Sequence, residues 1–305
     1  MASSNVHTLT MRLLTLRTIA SLITLALVTS SWAEKSNVNS KLRVLAYNVW
    51  YGFTKVPDRK PTWLDWMKTQ EADVVLLQEL NEYSPEMLKK DAAFWGHPHT
   101  VLLKEEGFPT GITSSYPLED VQKTVEGFHH GLIRARIKNV YFYCIHLHPS
   151  NWEVRKREIH LILEDIKGLP KNADVVLAGD FNTFSPHDRA FYSHGKLEPF
   201  FVMLDERDDA LNLRDGQLDY SVLQTLMDAG FTDLEARMRK PDYTFTGSFP
   251  TLIEKAGEHG DLRRLDYVFS NSKLTSQVRR ASIIADDTTQ ILSDHLPVIV
   301  DFERD

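Results

Sequence analysis

Apolar residues in this chain fall into short continuous runs, separated by segments of helical period and by polar turns. Four runs, Leu42–Val49, Asp73–Gln78, Val140–His146 and Asp174–Ala178, are almost wholly apolar, the pattern of strands covered on both faces. Further strands are predicted at His99–Leu103, Leu132–Ile137, Leu265–Phe269, Ala281–Ala285 and Val298–Phe302. Between them the period lengthens. Pro61 opens a helix to Gln70 with Trp63, Leu64 and Met67 at helical spacing, and Ser84-Pro85 opens another. Asn151 to Lys167 puts Ile159, Ile162, Leu163 and Ile166 on one face before Gly168-Leu169-Pro170 stops it. Asp219 to Ala229 reads as a fourth helix, ended by Gly230. The alternation of strand and helix is irregular, so layered sheets flanked by helices fit better than a closed parallel barrel. Residues 185–218 break the pattern: they are polar and aromatic by turns and carry Asp205, Glu206, Asp208 and Asp209. A long irregular segment inside a domain is usually functional.

The N-terminal pattern differs in kind. Arg12 and Arg17 precede an apolar run, Ile19 to Val28, and the small residues Ser31 and Ala33 frame a cleavage point at Ala33–Glu34. This is the charge–apolar–small order of a secretory signal, and the run is short for a membrane span. Met11 on its own already opens a complete signal. Residues 1–33 are therefore expected to be removed, leaving 34–305 as one domain in a secreted or periplasmic location. The 33 leader residues hold two of the 35 basic and none of the 42 acidic residues, so the remainder carries 33 against 42, a net −9. Such a chain does not draw in polyanions at long range, which argues against tight sequence-independent DNA binding. The clusters Arg155–Lys156–Arg157, Arg237–Lys240 and Arg263–Arg264 read as solvated faces. Cys144 is the single cysteine, which excludes an internal disulfide and a thiolate metal site.

Candidate chemistry sits where apolar strands end in polar residues, because such endings deliver a functional group to a sheet edge. The endings are Asn48, Gln78-Glu79, His146, Gly179-Asp180-Phe181-Asn182 and Asp266-Tyr267, with Ser293-Asp294-His295 just before the last strand. In Gly179-Asp180-Phe181-Asn182 the glycine is expected to let the chain turn, so that acid and amide point the same way. A carboxylate suits a hard cation such as Mg²⁺, and an amide can orient a phosphate oxygen or a water. Each element alone is equally compatible with an Asx turn or a surface loop. His148 shares a face with His146 only if the strand continues; otherwise it reads as a surface histidine. His129-His130 could extend a metal or phosphate site, and Cys144 reads as core.

Taken in order, these motifs resemble the endonuclease/exonuclease/phosphatase superfamily, also called the deoxyribonuclease-I-like fold. The resemblance runs from Asn48 to His295, and Gly111-Ile112-Thr113-Ser114 with Tyr116-Pro117 is similar to that family's central strand and turn. It implies a four-layer α/β/β/α sandwich of two packed mixed β-sheets flanked by helices, and cleavage of a phosphate ester dependent on Mg²⁺ or Mn²⁺. By matched position, Glu79 would be the principal metal ligand, helped by Asn48 and Asp294. Asp180 and Asn182 would position the attacking water and the phosphate. Asp266 would hold His295, which acts on the phosphate or its water, while His146 contacts the phosphate or protonates the leaving group. Family members that orient the early histidine with a glutamate have no evident counterpart here.

The resemblance leaves the ester open. A nuclease-type phosphodiesterase is the leading expectation; a sphingomyelinase-like phospholipid diesterase, a phosphomonoesterase and a non-catalytic binding module are the alternatives. Trp50 and Tyr51 either line the cleft, where they could stack on a base, or pack the loop. Phe200-Phe201-Val202-Met203 is the nearest candidate for a lipid-facing patch, with a buried cluster as its other fate. The 185–218 insert follows Asn182 closely and is expected to rise beside the active site and shape substrate choice.

Overall fold

A computed structural model describes residues 41–208, 210–253, 255 and 258–304; the predicted leader and its cleavage point lie outside them. Among the described residues fourteen strands form, in chain order, β1 (Lys41–Asn48), β2 (Val74–Gln78), β3 (His99–Leu102), β4 (Gly111–Ser114), β5 (Glu119–Thr124), β6 (Leu132–Ile137) and β7 (Val140–His146). They continue with β8 (Asp174–Asp180), β9 (Leu213–Arg214), β10 (Gln217–Leu218), β11 (Phe231–Asp233), β12 (Asp266–Asn271), β13 (Val278–Ile283) and β14 (Val298–Glu303). Two six-stranded mixed sheets result, in the orders β13-β14-β1-β2-β4-β3 and β11-β12-β8-β7-β6-β5, with β9 and β10 as a separate ribbon.

Strand parity builds the layers. Leu42, Val44 and Ala46 of β1 with Val74 and Leu76 of β2 share one core with Val140, Phe142 and Cys144 of β7 and with Val176 and Ala178 of β8. These are alternate residues of each strand, so they face the seam between the sheets. Their neighbours Leu45, Tyr47, Val75 and Leu77 turn the other way, onto Trp63, Trp66 and Met67 of α1 (Lys60–Thr69) and Leu88 of α2 (Pro85–Phe94). Tyr143, Ile145, Val175 and Leu177 turn outward onto Ile159 and Ile162 of α3 (Trp152–Lys167). This is the α/β/β/α order the sequence implies. Among the described residues no helix is long and apolar enough to cross a membrane.

Several expectations change in detail. Residues 185–218 are not structureless: α4 (Leu197–Asp208) and the β9–β10 ribbon lie within them. Phe201, Leu213 and Leu218 bury themselves with Phe184, Tyr192, Phe249 and Leu265 in a small core of their own. The four consecutive apolar residues 200–203 masked the helical period, since a helix must point some of them outward; Val202 and Met203 are the exposed ones. Asp205 accepts the backbone N–H groups of Asn212 and Leu213, so it is a structural acid. The fourth helix, α5, is Ser221–Asp228, and Asp219 caps it by accepting the Ser221 and Val222 N–H groups. β5 escaped notice because nearly all its residues are exposed, leaving no apolar alternation.

The basic clusters are not simply solvated faces. Arg155, Arg263 and Arg264 are buried. Arg264 donates to Asp188 at 2.8 Å and to Asp233 at 2.6 and 2.9 Å, and pairs with Glu235 at 3.0 Å. Arg155 donates to the carbonyls of His148 and Pro149, bracing the segment after β7. A buried guanidinium held by acceptors has no counterpart in a one-dimensional charge pattern.

Candidate active site

Parity also determines where the polar strand ends go. Asn48 continues the alternate series of Leu42, Val44 and Ala46; His146 continues that of Val140, Phe142 and Cys144; Asp180 continues that of Val176 and Ala178. Each polar group therefore caps one end of the inter-sheet core. The ladders set them side by side: His146 lies opposite Asp180, Asp266 is on the other side of Asp180, and Asn48 lies opposite Gln78. β7 and β8 run parallel and both finish here, while antiparallel β12 begins here with Asp266.

Gly179 is inside β8, not in a turn after it. A Cβ there would stand 2.1 Å from the Ile145 carbonyl oxygen and 2.7 Å from Gln78 Nε2, with φ at 138°. Its role is close approach of the two sheets beneath the site. Gln78 Nε2 also reaches Cys144 Sγ at 3.4 Å, and Cys144 is buried as core, its thiol pushed up to about 12 by burial. β7 stops at His146, so His148 lies on the following loop.

Eight sequence-derived residues converge. The Asn48 amide bridges the sheets, donating to Glu79 Oε1 at 3.0 Å and to Asp180 Oδ2 at 3.2 Å. Glu79 Oε2 accepts the Tyr51 N–H. Asp180 Oδ1 accepts the Asn182 N–H at 2.8 Å, and the Asn182 amide donates to the Leu147 carbonyl. His146 Nε2 and His295 Nε2 each lie 3.8 Å from Asp180 Oδ2. His146 Nε2 is also 4.0 Å from Glu79 Oε1. His295 Nδ1 is bonded to Asp266 Oδ2 at 2.7 Å. Asp294 is buried beside His295, and its charge acts on His295 and on Tyr51. Ser293 ties this loop down, donating to the Asn48 carbonyl and accepting the His295 N–H. Glu79 and Asn182 both hold positive φ, 59° and 49°, a backbone cost of about 1–3 kcal/mol each that accumulates at functional positions. Trp50, Tyr51 and Phe53 do so as well, and Tyr51 sits edge-on to Phe108 at 5.1 Å.

The electrostatics are those of crowded carboxylates. Burial first, then Asp266 and Glu79, push Asp180 up to about 7, although His295 and the Asn182 N–H oppose this. Burial works against a charged His295, but Asp266, Asp294 and Asp180 outweigh it and raise the group to about 10. Asp266 Oδ1 is buried without a hydrogen-bond partner. Oxygen-rich, short of positive charge and holding an unpartnered oxygen, this donor set fits a hard divalent cation. Asp180, Asp266 and His295 present ligand atoms within 4.8 Å of one another. Asp266 Oδ2 and His295 Nδ1 are bonded to each other, which leaves Asp266 Oδ1 and His295 Nε2, with Asp180, as what that trio offers a cation. Glu79 is the other candidate; the Asn48 amide N–H₂ faces it, while Asn48 Oδ1 accepts the Trp50 N–H and keeps a second lone pair.

Of two further residues at the site, Glu158 escaped sequence reading, and His130 is one of the paired histidines expected to be able to extend a metal or phosphate site. His130 stacks on His146 with ring centres 3.9 Å apart and planes 13° from parallel. Glu158, buried on α3, accepts the N–H of His129 at 2.7 Å and of His148 at 2.9 Å. It acts on the backbone of His129 and His148 and not on the His146 ring, so no motif announces it.

Solved structures with this architecture include an AP endonuclease from Archaeoglobus fulgidus, with a TM-score of 0.63 and 20% identity over 86% of this chain and 99% of that one. A 3′ phosphatase from Neisseria, solved with a product DNA hairpin, gives a TM-score of 0.61 and 17% identity over 86% and 99% of the two chains. An endonuclease/exonuclease/phosphatase from Beutenbergia cavernae gives 0.59 and 19% over 87% of this chain and 72% of that one. No curated protein matches by sequence. The sequence model of the Endonuclease/Exonuclease/phosphatase family matches residues 45–295, a span that takes in all eight clustered residues. The chain belongs to that family and is a phosphoester hydrolase.

Proposed function

We propose that the chain is an exported, divalent-metal-dependent phosphodiesterase of nuclease type, with Mg²⁺ or Mn²⁺ held by Glu79 and Asn48, and with Asp294 close by. The observation that carries the reading is the pair of imidazoles, His146 and His295, each 3.8 Å from one Asp180 oxygen. A bound cation would neutralise charge developing on the phosphoryl oxygens, which this acidic site lacks the means to do. Asp266 keeps the proton on His295 Nδ1, so that Nε2 faces the phosphate or the attacking water. Asp180 orients that water, and Asn182 offers its carbonyl oxygen while its N–H₂ stays tied to the Leu147 carbonyl. His146, on the opposite side, is in place to touch the phosphate or the leaving oxygen.

Diesters of nucleic acid are favoured over phospholipid by the fate of the apolar patch. Phe200, half-buried, and Phe201, buried, pack against the guanidinium of Arg263 at 5.5 and 5.4 Å, which leaves Val202 and Met203 as the exposed residues of that run. Trp50 and Tyr51 are half-exposed, with Tyr51 bonded through its N–H to Glu79 and its ring set against Phe108 and Lys55, and their ring surface is what a base would meet. The named activities of the similar structures, AP endonuclease and 3′ phosphatase, support the same substrate class. A metal-supplemented panel of single- and double-stranded DNA, RNA, sphingomyelin, and simple mono- and diesters tests the reading. Turnover confined to sphingomyelin or to monoesters would replace it. Export is supported by the leader pattern alone, and N-terminal sequencing of the mature protein should begin at Glu34.

A further inference from the structure

His146 has a feature that hydrogen bonding does not explain. Its Nδ1 is buried without a hydrogen-bond partner, and so is Nε2 of His130. A buried ring nitrogen normally finds a partner, and the bond it makes sets the ring's rotation about its Cβ. Here that bond is missing, while the ring face lies flat on His130 at 3.9 Å. Both rings are at least nine-tenths buried. His130 is itself wedged from behind: Phe108 meets it edge-on at 5.5 Å, and His129 meets it at 4.4 Å. His129 in turn touches His148 at 4.2 Å, and both their N–H groups end on the two oxygens of Glu158. Gly131, with φ at 99°, lets the chain leave this turn under Leu103, where a Cβ would stand 2.5 Å from a Leu103 methyl.

We propose that His130 is a positioning residue: its ring face fixes the rotation of His146, in place of the usual hydrogen bond to Nδ1. Glu158 sets the height of His130 by clipping the 129 and 148 loops to one carboxylate. The stack is a flat-surface device, so what matters at position 130 is a planar ring, not its nitrogens. The inference rests on the reading of His146 as a group that touches the substrate.

The test uses the full chain with Mg²⁺ and bis-(p-nitrophenyl) phosphate. His130→Leu fills the space without a flat face, and His130→Phe keeps the face without the nitrogens. His130→Leu is expected to lower kcat by about tenfold or more with KM changed by less than about threefold, while melting like the parent protein. His130→Phe should recover kcat to within about threefold of the parent. Because His130 acts through His146, the double variant with His146→Ala should be no slower than His146→Ala alone. A His130→Leu enzyme within about twofold of the parent, a Phe variant no better than Leu, or an additive double variant would overturn the proposal. Near-parental turnover in His146→Ala would be distinguishable, because it removes the role of His146 and not only the stack.

Discussion

His146 and His295 stand the same 3.8 Å from one oxygen of Asp180, and they are held in opposite ways. On the His295 side, the polar restraints are directed hydrogen bonds, Asp266 on Nδ1, Ser293 on the backbone N–H and Ser293 again on the Asn48 carbonyl, and the Phe249 ring packs on the imidazole at 4.7 Å. On the His146 side, Nδ1 has no partner, and the restraint is a ring face backed by two further rings. Charge follows the same division. Asp266, Asp294 and Asp180 raise His295 to about 10, whereas burial, then His130 and His295, hold His146 well below its ordinary value. Burial likewise brings His130 down to about 3 and His148 to about 4. One wall is acid-backed and strongly basic, the other is neutral imidazole. Two imidazoles held so differently suit two different roles in one displacement.

The comparison breaks most readily at the His295 wall. Replacing His295 with Ala is expected to reduce turnover of a diester by about 10³-fold or more, and Asp266→Asn should cost nearly as much, because the wrong tautomer is then favoured. Steady-state kinetics at saturating Mg²⁺ check both. Near-normal turnover in either variant would contradict the assignment.

A smaller effect, of opposite sign for stability, is expected at Asp180. Its folded value near 7 lies above the ordinary 3.8, so the folded metal-free protein binds the proton more tightly than the unfolded chain does. The contribution is fully present below about pH 4 and is lost as pH rises through about 7. Asp180→Asn removes that loss. The variant should be inactive, yet in EDTA at pH 8 it should melt a few degrees above the parent, with the gap closing toward pH 5. Thermal unfolding across pH measures it, and a variant less stable than the parent at pH 8 would show that the carboxylate is not strained there.

Much of the His295 wall was legible in the sequence, because it follows from one rule. Asn48, His146, Asp180 and Asp266 are all strand-end residues on the inter-sheet parity, and Ser293-Asp294-His295 is a compact motif before the last strand. The His146 wall was largely illegible. His130 reaches the site from a turn, without a period to place it, and Glu158 is an acid on the buried face of a helix whose apolar pattern looks complete without it. Gly179 was noticed for the wrong reason, since only the spatial approach of Ile145 and Gln78 reveals why a side chain cannot fit. Residues 185–218 were read as irregular, although a helix and a two-stranded ribbon lie within them. Their link to the site runs through Asp188 and Arg264, nine residues before α4 and two before Asp266, respectively, and neither looks buried in a linear sequence. Deleting 185–218 whole would therefore remove Asp188 and leave Arg264 short of an acceptor, so substrate choice is better probed by point changes on the exposed face of α4.

The central claim is that this acidic cluster becomes a phosphoesterase site only with a divalent cation. The direct measurement is hydrolysis of bis-(p-nitrophenyl) phosphate by protein stripped with EDTA and then resupplied with Mg²⁺ or Mn²⁺, alongside Glu79→Gln. Turnover should vanish on stripping, return on resupply in the parent, and stay at least about 10²-fold lower in the variant. Hydrolysis that persists in EDTA, or folded protein that gains none from either metal, would contradict the account.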